Sequence, residues 1–202
     1  MLIEALLLGT VVAFLRGGTV KNMKLAHIRM PALLVVAFLL QSMLSFMMLA
    51  GSTWFIQQRM LIYALSYGML FIALFFNLSH KAVWLVVAGS VMNFAVIFLN
   101  GGSILISAES LREAGFLNRL SLIEAGRLPH YLLLEEVSGV TTFFAKRFTP
   151  PSFYPVSQIF SLGDLLISLG IFFWIQNLFL GAGQYQRARM LRIDPHGKIM
   201  KR

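Results

Sequence analysis

Five blocks of nearly unbroken apolar residues, 2–15, 31–50, 60–78, 82–99 and 162–180, alternate with polar stretches along this chain. A bilayer core of roughly 30 Å is crossed by about 20 apolar residues in helical conformation, so each block predicts a membrane-spanning helix. The first is short for that task and spans only by thinning the bilayer locally, by using its flanking residues or by sheltering against the other helices. It reads as a retained helix and not a signal peptide, because Glu4 stands where a basic leading region belongs.

The stretch 101–160 is too long for a plain turn and too amphipathic for low complexity, which predicts partial order. In "SAESLREAG" Ser107 is placed to cap a short helix, with glutamates in its first turns and Gly115 as its stop. "FLNRLSLIEAGRLPHYLLLEEV" follows with Leu117, Leu120 and Ile123 at helical spacing, predicting a second helix with its apolar side toward lipid or the bundle. "FTPPSFYP" then reads as a stiff extended connector back to the last block.

Composition agrees with the pattern: 58% of the 202 residues are hydrophobic, 12% are charged, and the mean hydropathy is +0.77. That balance is an integral membrane protein's, and it leaves too little polar surface for a soluble domain. The fold class expected is an all-α integral membrane protein, a single membrane domain over 1–202. It is a bundle of five transmembrane helices with a partly helical extracytoplasmic segment between the fourth and fifth. With no cysteine in the chain, disulfides, thiolate catalysis and cysteine-held metals are excluded.

The net charge of +9 informs orientation rather than nucleic-acid binding, because the basic residues are interleaved with apolar spans. Arg16, Lys21, Lys24 and Arg29 lie between the first two spans, Lys81 between the third and fourth, and six more basic residues in the tail 183–202. Basic residues concentrate on the cytoplasmic side, so these predict an N-terminus outside and a C-terminus inside. On the other side are Arg59 and the segment 101–160, whose five basic residues are matched by five glutamates. The partner expected for the basic tail is the anionic head groups of the bilayer, at about 1 kcal/mol per basic residue near the surface. A membrane-protein partner is a further candidate, and nucleic acid is not one.

Polar and small residues recur on single helix faces within the spans. Gly89, Asn93 and Asn100 line one stripe of the fourth helix, while Gly163, Gly170 and Asn177 repeat every seven residues in the fifth, beside Asp164 and Ser168. Gly89, Gly163 and Gly170 read as packing positions, where small residues let backbones approach. The predicted orientation puts Glu4, Asn100 and Asp164 at the outer ends of their helices. With Asn93 they form a candidate polar site able to share a proton, hold a cation or receive a polar substrate group. A local reading stands beside it: Ser161 and Asp164 form S-x-x-D at a helix start, where Ser161 is the cap and Asp164 needs no further role. His130 and His196 are isolated in loops without a second ligand at metal spacing.

At "GSVMNFAVIFLNGGSILIS" and "FSLGDLLISLG" the chain resembles a family of small bacterial membrane proteins, domain of unknown function 5317. The likeness rests on Arg16-Gly17-Gly18 after the opening helix, on Gly89, Asn93, Asn100, Gly101 and Gly102, and on Ser161, Gly163 and Asp164. The proline that often follows the Asn-Gly-Gly turn is replaced here by Ile104-Leu105. The resemblance implies a bacterial plasma-membrane location and no particular activity.

Three function classes remain open. The first is a non-enzymatic component that binds a small solute, ion or partner through the outer polar cluster. The second is a structural or assembly subunit of a larger membrane complex. The third is a membrane-embedded enzyme. No catalytic residue is nominated, because G-x-S-x-G, H-E-x-x-H and P-loop motifs are all missing; no cofactor or metal is expected, and no histidine lies in a span for haem.

Overall fold

A computed structural model describes residues 1–25, 28–151 and 154–181. The predicted basic tail and His196 lie outside the described residues. The described elements run α1 (Leu2–Leu15), α2 (Val20–Leu25), α3 (Pro31–Leu49), α4 (Thr53–Phe76), α5 (Val83–Leu99), β1 (Ile104–Ile106), α6 (Ala108–Glu113), α7 (Leu117–Glu124), β2 (Tyr131–Leu133) and α8 (Leu162–Leu180). Two 3-10 turns, Leu134–Glu136 and Val140–Phe144, fall between β2 and α8.

The architecture is mostly helical, and α3, α4 and α8 are each long and apolar enough to cross a membrane. The apolar helices α1 and α5 are shorter, about 21 Å and about 26 Å at 1.5 Å per residue. Large apolar side chains are exposed on all of these, among them Ile3, Leu7, Phe38, Phe46, Phe75, Trp84 and, on α8, Phe173. So broad an apolar surface suits contact with lipid rather than water.

The five apolar helices pack in the order α1, α8, α5, α4, α3, and this row curls so that α3 and α8 line one cavity. Glycines set the closest approach, between α5 and α8. A Cβ on Gly170 would lie 2.6 Å from Val86 Cγ2 and 3.0 Å from the Ala82 carbonyl oxygen, and one on Gly89 would lie 2.8 Å from Ile167 Cγ1. Gly163 faces the Asn93 side chain and the Gly89 carbonyl with equally little room. Between these apolar helices the closeness supplies van der Waals contact.

Buried polar side chains tie the loops at one end of the row. The Asn77 side chain, 1% exposed, accepts from the Arg29 amide at 2.9 Å and donates to the Arg29 and Ala73 carbonyls at 2.7 and 2.8 Å. Arg16 Nη1 donates to the buried Gln176 Oε1 at 2.5 Å, joining α1 to α8.

At the other end a small cap has its own apolar core. β1 and β2 pair in parallel, with Ile104 opposite Tyr131, and Ile106 also bridges to Lys146. Ile106, Leu111, Leu120, Ile123, Leu128 and Leu133 pack beneath them. Ser107 caps α6 by accepting from the Ser110 amide, and the Glu135 carboxylate accepts from Ser107 Oγ and from the Ala108 amide, each at 3.1 Å.

Several expected boundaries are corrected. The third apolar helix begins at Thr53, not at residue 60, because Gln57, Gln58 and Arg59 continue the helix after the Gly51 turn; Arg59 bonds back to the Ile56 carbonyl at 2.8 Å. The second cap helix ends at Glu124, where Gly126 takes a positive φ of 68°, and the following "YLL" is a strand. Leu120 and Ile123 face the cap core instead of lipid or bundle, while Leu117 is exposed. Residues 148–160 are not an extended connector: Phe148 and Phe160 exchange backbone bonds at 3.1 and 2.9 Å and stack their rings, which closes the prolines into a loop. Residues 152 and 153 lie outside the described residues.

Candidate functional site

Asp164 occupies the first turn of α8 at the cap end of the row. Ser161 precedes the helix in extended backbone, so its Oγ accepts from the Asp164 amide at 3.0 Å while Asp164 Oδ2 accepts from the Ser161 amide at 3.1 Å. This reciprocal pair satisfies two backbone donors that the helix start leaves free.

The same carboxylate also reaches two other elements. Asn93, on the α5 face that meets α8, donates from Nδ2 to Asp164 Oδ1 at 2.8 Å and accepts at Oδ1 from Ser161 Oγ at 2.8 Å. Lys146, from the cap, donates from Nζ to Asp164 Oδ2 at 2.9 Å. Its backbone is held by the cap, with its amide on the Leu105 carbonyl and its carbonyl on the Ser107 amide, both at 2.9 Å. The ion pair therefore joins cap to bundle. Its side chains are 33% and 22% exposed, far enough from bulk water for charge and hydrogen bonding to matter more than at a free surface.

Of the residues nominated from sequence, the fold brings Asn93, Ser161 and Asp164 into one network. Glu4 and Asn100 are directed elsewhere. The Glu4 carboxylate meets the Met1 amine and accepts from Gln158 Nε2 at 3.1 Å, and Asn100 Nδ2 donates to the Val96 carbonyl of its own helix at 2.7 Å. A proton or cation shared among Glu4, Asn100 and Asp164 is not what this geometry shows, because Lys146 occupies the position a cation would take. Lys146 was not nominated; its one trace in the sequence is that no acidic residue lies within four positions of it.

The network stands at the mouth of a cavity of about 420 Å³ lined by α3, α4, α5 and α8, with Leu2 of α1 and the cap residues Ile104, Leu105 and Phe144. On each helix the polar lining residues lie on the cap side of an apolar stretch, although on α5 the apolar Val96 and Ile97 lie nearer the cap still. Gln41 and Ser45 give way to Phe38, Ala37 and Leu34 on α3, and Tyr63 and Tyr67 to Leu70 and Leu74 on α4. Asn93 and Ser90 precede Val86 on α5, and Asp164 precedes Ile167, Ile171 and Trp174 on α8. At the far end Leu34 packs against the apolar cluster that holds Leu74, Val86 and Trp174. Two donors lining the cavity have no partner among the described residues, Ser90 Oγ on a residue 1% exposed and Trp174 Nε1 on one 8% exposed.

Outside the apolar helices His130 is 3% exposed, and burial together with the Arg59 and Arg119 charges pushes its imidazole down to about 4. Among the described residues no three His, Asp or Glu side chains gather as a metal site would require.

No curated protein and no solved structure matches this chain. A model for a family of unknown function, DUF5317, matches residues 25–176, which include Gly89, Asn93, Lys146, Ser161 and Asp164, and the chain belongs to that family.

Proposed function

We propose that this protein is a non-enzymatic, multi-pass plasma-membrane component that binds a small molecule in the cavity beneath its cap. All five apolar helices cross the bilayer in this reading, with the N-terminus and cap outside, the basic tail inside near anionic head groups, and the short α1 sheltered by α8. One observation carries the binding function: a largely desolvated Lys146–Asp164 pair, oriented by Asn93 and Ser161, stands at the mouth of a mostly apolar cavity. A few fixed polar groups over an apolar hollow are the usual make-up of a small-molecule site.

The binding test is extraction of the protein in native-membrane nanodiscs, followed by mass spectrometry of the small molecules that copurify. Wild type is expected to carry a small molecule at near one per chain, and Ala37→Phe, which fills the cavity, to lack it. An empty wild type would refute the binding role. Orientation is checked by placing single cysteines at the exposed Ser121 and Ser79. An impermeant thiol reagent should label the first and spare the second in intact cells; the reverse would invert the topology.

A further inference from the structure

Resting on the binding role above, we infer that the ligand is a single-tailed amphiphile with an uncharged or zwitterionic head rich in hydrogen-bonding oxygen. Its head lies near the cap and its tail points to the far end. The direction follows from the lining: beyond Gln41, Tyr67, Ser90 and Asp164 the four helices line the far half with apolar side chains, Trp174 included. The polar ones all lie on the cap side, among apolar neighbours such as Val96 and Ile97. In the proposed orientation this matches a lipid-like molecule of the outer leaflet, whose head is at the surface and whose chain points to the bilayer centre.

The size follows from the helix geometry. Asp164 and Trp174 are ten residues apart on α8, about 15 Å of helix. A hollow of about 420 Å³ extended over that length has the width of one chain rather than two. The head chemistry follows from charge: Lys146 and Asp164 neutralise each other, so the mouth presents hydrogen-bonding groups without an excess of either sign. Ser90 Oγ is buried and unpartnered less than one helical turn below Asn93, and a buried hydroxyl in that state costs free energy unless a ligand oxygen bonds to it. Trp174 Nε1 is a second buried donor without a partner, at the apolar end. An oxygen atom along or near the end of the tail would satisfy it.

The test uses protein purified in a rigid sterol-based detergent, titrated with a monoacylglycerol as the probe while thermal unfolding is followed. Wild type should be stabilised saturably, because a ligand bound only by the folded state raises its melting temperature. Ser90→Ala should melt at or above wild type when empty, since it removes a buried hydroxyl that has no partner, yet need about five-fold more monoacylglycerol for the same shift, as one lost hydrogen bond implies. A diacylglycerol with the same type of head should give no saturable shift. Equal titrations for wild type and Ser90→Ala, or a saturable response to diacylglycerol, would overturn the assignment.

The nanodisc experiment separates this inference from the reading beneath it. A copurifying water-soluble solute would leave the binding role in place and refute the amphiphile. A copurifying single-tailed lipid supports the inference, and an empty wild type would overturn it together with the binding role.

Discussion

Replacing Lys146 by methionine keeps the aliphatic stem and removes the ammonium, leaving the Asp164 carboxylate with only Asn93 and the Ser161 amide as donors. Orphaning a fully buried charge costs about 3–5 kcal/mol. Here both side chains retain some access to water, at 33% and 22%, so the expected loss is about 1–3 kcal/mol. Asp164→Asn should cost less, because the amide oxygen still accepts from the backbone and the flexible lysine turns toward water. The double variant has no orphaned charge and should recover part of the loss, giving a coupling energy of about 1–2 kcal/mol in a double-mutant cycle. Reversible unfolding in mixed micelles containing sodium dodecyl sulfate, followed by helical circular dichroism, measures all four proteins. Additive single effects, or a harmless Lys146→Met, would refute the view that this pair holds the cap to the bundle.

Gly170→Ala should destabilise by about 1–3 kcal/mol in the same assay, because the added methyl meets Val86 of α5 and the carbonyl of Ala82 just before it. Gly68→Ala, where nothing lies within 4 Å, should be neutral or stabilising by up to about 1 kcal/mol; equal effects would show that α5 and α8 do not meet through Gly170. For His130 the folded state holds the imidazole neutral down to about pH 4, whereas an unfolded imidazole takes up its proton near 6.5. The unfolded chain therefore binds more protons below pH 6.5, and stability should fall as pH drops from about 6.5 to 4. Unfolding of wild type and His130→Gln across that range checks the sign: the loss attributable to His130 should vanish in the variant, and identical pH profiles would refute it.

The apolar helices were legible because each is written as a long, nearly uninterrupted apolar run in consecutive residues. The helix starts at Ser107 and Ser161 were legible for a related reason, since a cap acts over three positions and its partners lie inside one sequence window. The family was legible from short glycine and asparagine motifs within and beside those same blocks. The two strands were not, because three residues are too few to show a period and their pairing joins positions 104–106 to 131–133. Depth alone suggested a cluster of Glu4, Asn100 and Asp164, but depth ranks residues along the membrane normal and says nothing of rotation about each helix axis. Packing through Gly89, Gly163 and Gly170 decides that rotation, turning Asn93 toward Asp164, while Asn100 bonds to its own helix. Lys146 arrives from the cap, so its place beside Asp164 depends on contacts between segments far apart in sequence, which only the tertiary structure assembles.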